Sequence, residues 1–167
     1  FELTGNHIDY PVDWVEMDFD DGMQRVFSNI RCTVDAFPLV HSVPTYGFRV
    51  TEVPRGTSEP RVYAYCCDTA YTEAILPHIA GADLLCLECT FANELADLAA
   101  TRLHLTAGQA GRLASLAGVR QLLLTHVSAR YKEPDLLLAQ ASAEFENCIV
   151  AADGMRVEVS RNRVFRC

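Results

Sequence analysis

The sequence predicts one α/β domain of layered strands and helices, and three observations carry that expectation. The first third reads as strands with a period of two, the remainder alternates short apolar runs with helical patterns, and no repeat or low-complexity tract divides the chain. With 167 residues, 50% of them hydrophobic, the chain is long enough to bury one substantial core. Residues 53–60, VPRGTSEP, are the most linker-like stretch and are too short to separate two domains.

Taken in order, residues 12–19 form a candidate strand and Asp20, Asp21 and Gly22 a turn. Ile30, Cys32, Val34 and Ala36 alternate with Arg31, Thr33 and Asp35, which predicts a strand with one packed and one wetter face. Residues 45–51 repeat that pattern. Residues 62–67, 84–87 and 122–124 are nearly continuous apolar runs, as expected of strands covered on both sides. Between them, Thr106 and Gln109 have the spacing of a capping box, Ala110, Leu113, Ala114 and Ala117 make one apolar stripe, and Gly118 is placed to end that helix. Pro134 suits the start of a second helix. Val150 and residues 155–159 flank Asp153-Gly154 as an expected terminal hairpin.

Charge narrows the function classes. Acidic residues number 22 against 14 basic ones, for a formal charge of −8, which argues against broad electrostatic capture of nucleic acid but leaves room for a local basic patch or a metal site. The cysteines at 32, 66, 67, 86, 89, 148 and 167 include one CxxC, Cys86 and Cys89, with no second pair to complete a zinc finger. They are expected to be reduced, mostly buried thiols. No apolar stretch is long enough to span a bilayer and no export signal is visible, so a cytoplasmic protein without membrane contact is expected. The chain opens at Phe1 rather than Met, and further sequence upstream is expected.

In layered α/β proteins, reactive side chains collect on loops beyond strand ends. PLVHSVPTYG delivers His41, YAYCCDTA delivers Asp68 and LLLTHVSARY delivers His126, a partial ligand set that suits zinc. Each has a plainer reading: a loop histidine in two cases, and for Asp68 a helix cap acting with Thr69. His7 and His78 are expected to be solvated. The residues alone establish a candidate metal site and nothing finer.

Several segments together resemble the metallo-β-lactamase fold hydrolases, and within them the ribonuclease Z family, endonucleases that trim transfer RNA 3′ trailers. They are PLVHSVPTYGFRV, YCCDTAYTEAILPHIAGADLL, LECTF, LHLTAGQAG and LLLTHVSARYKEPDLL, followed by AADGM. Their order is similar to the C-terminal two thirds of that αββα domain. The resemblance implies that two zinc ions are bound, with His41 a ligand of one, Asp68 the bridging carboxylate and His126 a ligand of the second. It makes His104 the histidine beside the scissile phosphate and Glu88 its orienting carboxylate, and it implies precursor transfer RNA as substrate and a homodimer. Arg130 and Lys132, in SARYKEP, would place positive charge at the mouth of the site.

The departures are specific. The family's HxHxDH signature is absent, so the chain is expected to be the C-terminal portion of a longer enzyme rather than a degenerate paralogue. The family's HEAT is LECT here, with Leu87 in place of its histidine, and Leu103 and Leu105 replace the glycine and serine around its catalytic histidine. Cys67 replaces the glycine before its aspartate. The basic arm that typical bacterial members insert is missing between Val50 and Val62. A metallo-hydrolase of small phosphodiesters or other esters, and a non-catalytic domain, are the competing expectations.

Overall fold

Four strands in antiparallel succession open the described part of the chain: β1 (Gln24–Ser28), β2 (Cys32–Leu39), β3 (Thr45–Glu52) and β4 (Val62–Cys66). The computed structural model describes Pro11, Glu16, residues 22–160 and the backbone of residues 164–166. Of the strand expected at 12–19 only Glu16 is described; its other residues, the acidic pair of its turn, His7 and Cys167 lie outside the described residues. β5 (Leu84–Glu88), β6 (Leu122–Thr125) and β7 (Cys148–Val150) then add parallel to β4, so that one seven-stranded sheet has its strands in chain order. The switch follows the sequence texture. Alternating strands turn back through short connections, whereas the apolar runs are joined by helical crossovers, as parallel pairing requires.

Those crossovers are α1 (Leu76–Ile79) between β4 and β5, α2 (Ala96–Arg102) and α3 (Ala107–Leu116) between β5 and β6, and α4 (Asp135–Ser142) between β6 and β7. They cover one face of the sheet. Phe37, Leu39, Ala64, Cys66, Leu85, Leu87, Leu122 and Leu124 meet Ile75, Ile79, Ala110, Leu113, Ala114, Leu137 and Ala141 there. Each large side chain so buried contributes about 1.5–3 kcal/mol. The capping box on α3 is present: Thr106 Oγ1 accepts from Gln109 N at 3.3 Å, and Gln109 Oε1 accepts from Thr106 N at 2.9 Å. Gly118 ends the turn with φ 60. α4 starts after Pro134, as expected.

Three expectations are corrected. β1 was not foreseen, because the register shifts between Arg25 and Phe27 and the bulge at Val26 destroys the period of two. Ile30 lies outside β2 and is 87% exposed, while Asp35, assigned to the wetter face, is buried and paired with Arg25. The terminal hairpin does not form: β7 pairs with β6, and β8 (Val157–Val159) pairs with β9 (Val164–Arg166) in a separate two-stranded sheet. The Asp153-Gly154 turn exists, with Gly154 at φ 77, but it joins two sheets. The six described cysteines are free thiols, four of them buried. Among the described residues no helix is long and apolar enough to cross a membrane.

Candidate active site

The parallel register sets the site. Cys66 aligns with Leu87, and Glu88 with Thr125, so the C-terminal ends of β4, β5 and β6 reach one edge of the sheet together. β2 runs in the same direction as β4, because two antiparallel reversals separate them, and its end joins that edge. His41, Asp68, Glu88 and His126 all stand at or just past these ends. The loops carrying His41 and Asp68 are tied together, with Val40 N donating to Thr69 Oγ1 at 3.1 Å and Ala70 N donating to the Val40 carbonyl at 2.7 Å.

The three residues read as ligands converge. His41 Nε2 is 4.0 Å from Asp68 Oδ2, and His126 Nδ1 is 3.4 Å from Asp68 Oδ1, so one carboxylate offers a different oxygen to each imidazole. His104 lies between the two, with ring centroids 5.1 Å from His41 and 5.2 Å from His126. The chain brings His104 there through an abrupt reversal after α2, where Leu103 takes a left-handed conformation with φ 58. The Leu103 carbonyl in turn accepts from His41 Nδ1 at 3.1 Å, which leaves Nε2 of His41 as its lone-pair nitrogen. His126 also has positive φ, at 52. Asp68 does not cap a helix; Thr72 does that for the turn that follows.

Glu88 is fully buried and holds this arrangement together. Its Oε1 accepts from Thr69 N at 2.7 Å and from His104 Nδ1 at 2.8 Å, and its Oε2 accepts from Thr90 Oγ1 at 2.7 Å and Leu105 N at 3.1 Å. A carboxylate has about four lone-pair positions, and all are taken. Thr90 was missed in the sequence. Its single proton goes to the nearer, charged acceptor, Glu88, rather than to the His126 carbonyl at 3.1 Å, so its oxygen receives from His126 Nδ1 at 2.8 Å. One hydroxyl thereby orients two side chains at the same edge of the sheet. The only local signal was a threonine two places beyond a strand-end glutamate in LECTF.

Two groups of described side chains could hold a metal ion: His41, Asp68 and His104, and Glu88, His104 and His126. The saturation of Glu88 makes it a poor ligand despite its place in the second group.

A cavity of about 550 Å³ opens beside His104, lined by His41, Thr90, Phe91, Arg102, Leu103 and Arg130 among others. The Arg130 guanidinium lies 5.0 Å over the Phe91 ring and donates to Ser128 Oγ at 3.1 Å, two contacts that fix it at the cavity. Lys132 is exposed and does not line the cavity, so the structure brings forward one of the two expected cations. His78, expected to be solvated, stacks on Phe37 with centroids 4.9 Å apart, and burial together with nearby Arg49 pushes its pKa down.

The sequence matches the β-lactamase superfamily domain over residues 1–127. A ribonuclease Z of Thermobifida fusca is 38% identical over 175 residues, which cover 78% of this chain and 55% of that protein. A ribonuclease Z of Bacteroides fragilis is 43% identical over 109 residues, covering 65% of this chain and 36% of that one. The crystal structure of human tRNase Z, short form, superposes with a TM-score of 0.68 at 26% identity, covering 86% of this chain and 49% of that chain. The sheet and its covering helices therefore match the metallo-β-lactamase fold, and the chain spans about half the length of the first of these relatives and of the superposed structure. The Thermobifida alignment is longer than the stretch of this chain it covers, so that relative carries residues this chain lacks.

Proposed function

This chain belongs to the β-lactamase superfamily, and from that premise we propose that the whole protein is a zinc-dependent endoribonuclease that removes 3′ trailers from precursor transfer RNA. The observation that carries this reading is the buried Glu88–His104 pair, 2.8 Å long, set beside His41, Asp68 and His126. A metal-binding hydrolase of this fold needs only its ligands. An imidazole locked by a buried carboxylate and turned toward the same centre suits a reaction in which an oxygen must leave with a proton.

The side chains fit zinc. Imidazole nitrogen and carboxylate oxygen are its ordinary donors, and His41 has its Nδ1 engaged by a carbonyl and its lone-pair Nε2 facing Asp68, as zinc-binding histidines do. His41, Asp68 and His126 would hold two zinc ions, with Asp68 shared, alongside donors that the full enzyme supplies. Bound zinc would provide Lewis-acid polarisation of the phosphoryl group and a nucleophile at neutral pH. Glu88 fixes the His104 ring by accepting from Nδ1, and in the imidazolium form His104 would give its Nε2 proton to the departing 3′ oxygen and keep the Nδ1 proton on Glu88. Arg130, held over Phe91, would steady a backbone phosphate, with Lys132 adding charge at the outer rim. The same reading places the protein in the cytoplasm as a homodimer.

The direct test is to incubate the full-length protein with zinc and a precursor transfer RNA and to map the products. A cut at the trailer junction that leaves a 3′ hydroxyl is expected. The acidic charge and the short β3–β4 connection favour one second reading, hydrolysis of small phosphodiesters. An uncut precursor together with hydrolysis of bis(p-nitrophenyl) phosphate would select it.

A further inference from the structure

Arg102 lines the cavity beside His104 but has no role in the chemistry proposed above. It is the last residue of α2, it is exposed, and it makes no hydrogen bond or ion pair among the described residues. It lines the same cavity as His104, His41, Phe91 and Arg130. The other α2 residues facing that cavity are Leu98 and Thr101, and the Thr101 hydroxyl is spent on the Asp97 carbonyl at 2.8 Å. The cavity thus has an aromatic and aliphatic wall in Phe91 and Leu98, imidazoles at the reacting end, and two guanidinium groups. In a chain of net charge −8, an arginine without a carboxylate partner at such a place favours an anion. An apolar wall beside cationic groups suits a nucleotide, whose base and sugar need contact area and whose phosphate needs charge.

We propose that Arg102 is a positioning residue that holds the phosphate next to the scissile one, on the side of the leaving 3′ oxygen. The assignment rests on the endoribonuclease reading and names the subsite that reading would use. His104 marks the leaving oxygen, and the cavity beyond it is where the strand carrying that oxygen continues. Arg130 is already stacked on Phe91 and hydrogen-bonded to Ser128, so its guanidinium is committed in direction. Arg102, at a helix end and without partners, is free to close on the next phosphate. Its position also suits the negative end of the α2 dipole, and that purely structural role predicts no dependence on RNA phosphates.

The test separates binding from cleavage. A fluorescein-labelled RNA hairpin with a single-stranded 3′ extension is titrated with the full-length protein in EDTA, and anisotropy is read across a salt series. Arg102→Gln should raise Kd about tenfold, the loss of one charge-assisted contact. It should also lower the slope of log Kd against log salt by about 0.7, the value for one phosphate contact on a single strand. Arg102→Lys should keep most of the slope, and Arg156→Gln, an exposed arginine beside β8, should leave both quantities unchanged. A methylphosphonate at the neighbouring phosphate should weaken the wild type and leave Arg102→Gln unmoved. Wild-type Kd and slope in Arg102→Gln, a methylphosphonate effect that persists in that variant, or no RNA binding by the wild type would each overturn the assignment. If binding responds as expected but zinc brings no cleavage, the endoribonuclease reading falls and the phosphate contact stands.

Discussion

Leu103 occupies a left-handed conformation that costs an ordinary residue about 1–2 kcal/mol, and it does so directly before His104. The resembled family has glycine there. The conformation turns the chain sharply enough that His104 meets Glu88 and the Leu103 carbonyl meets His41. A β-branched residue tolerates this region worst. Leu103→Val is therefore expected to be less stable than Leu103→Gly by about 1–2 kcal/mol in urea unfolding. At Glu88 the expected loss is both structural and chemical. Glu88→Gln puts an amide NH₂ against donors and should cost about 1–3 kcal/mol of stability. His104→Ala deprives the buried Glu88 Oε1 of one of its donors and should cost about 1–3 kcal/mol of stability; on the endoribonuclease reading it should also lower kcat for phosphodiester cleavage by about 10²–10⁴ with little change in KM. Equal kcat in wild type and His104→Ala would remove His104 from the chemistry.

At the scale of elements, α3 is the part on which the site's geometry leans. Thr106, two residues beyond His104, caps it, and the isolated bridge between Phe91 and Thr106 ties its start to the loop carrying Thr90. Thr106→Ala should cost about 1 kcal/mol in thermal or urea unfolding. On the other side of α3, a Cβ at Gly111 would lie 2.5 Å from the Ala141 carbonyl of α4. Helix backbones cannot give way as side chains do, so Gly111→Ala should cost about 1–3 kcal/mol even though alanine favours helix. If Gly111→Ala stabilised the protein, the close approach of α3 to α4 would be wrong.

Over the whole molecule, burial decides thiol reactivity. Cys66, Cys86 and Cys89 are buried, which raises their pKa, and Cys89 is pushed up to about 12. At pH 8 these groups are neutral and sheltered. Iodoacetamide on the native protein should label, among the described cysteines, at most the half-buried Cys32 and Cys67, and mass spectrometry should find the others modified only after denaturation. The acidic character of the chain as a whole and the arginines at one cavity are compatible because they operate at different distances. Net charge sets the far field, whereas Arg102 and Arg130 act within a Debye length of about 8 Å at physiological salt.

Local features were legible in the amino-acid order. The Thr106–Gln109 box, the stop at Gly118, the α4 start at Pro134 and the apolar parallel strands each depend on neighbours a few places away, and the structure has them where expected. The placement of Asp68 and His126 after strand ends was also legible, His41 was legible only as a loop residue before a strand, and the resemblance to ribonuclease Z supplied their proposed roles. What only the tertiary structure decided lies between distant residues. A single bulge hid β1, and the choice of β6 as partner for β7 dissolved the expected hairpin. The burial of Asp35 came from an arginine across the sheet. Thr90 as the hub between Glu88 and His126, and Arg102 at the cavity, came from packing three strand ends and α2 around one edge. The physical reason is range: caps, turns and periodicity are settled within a few residues, while hydrogen-bond partners and cavity walls are chosen by contacts that exist only after the sheet has set its register.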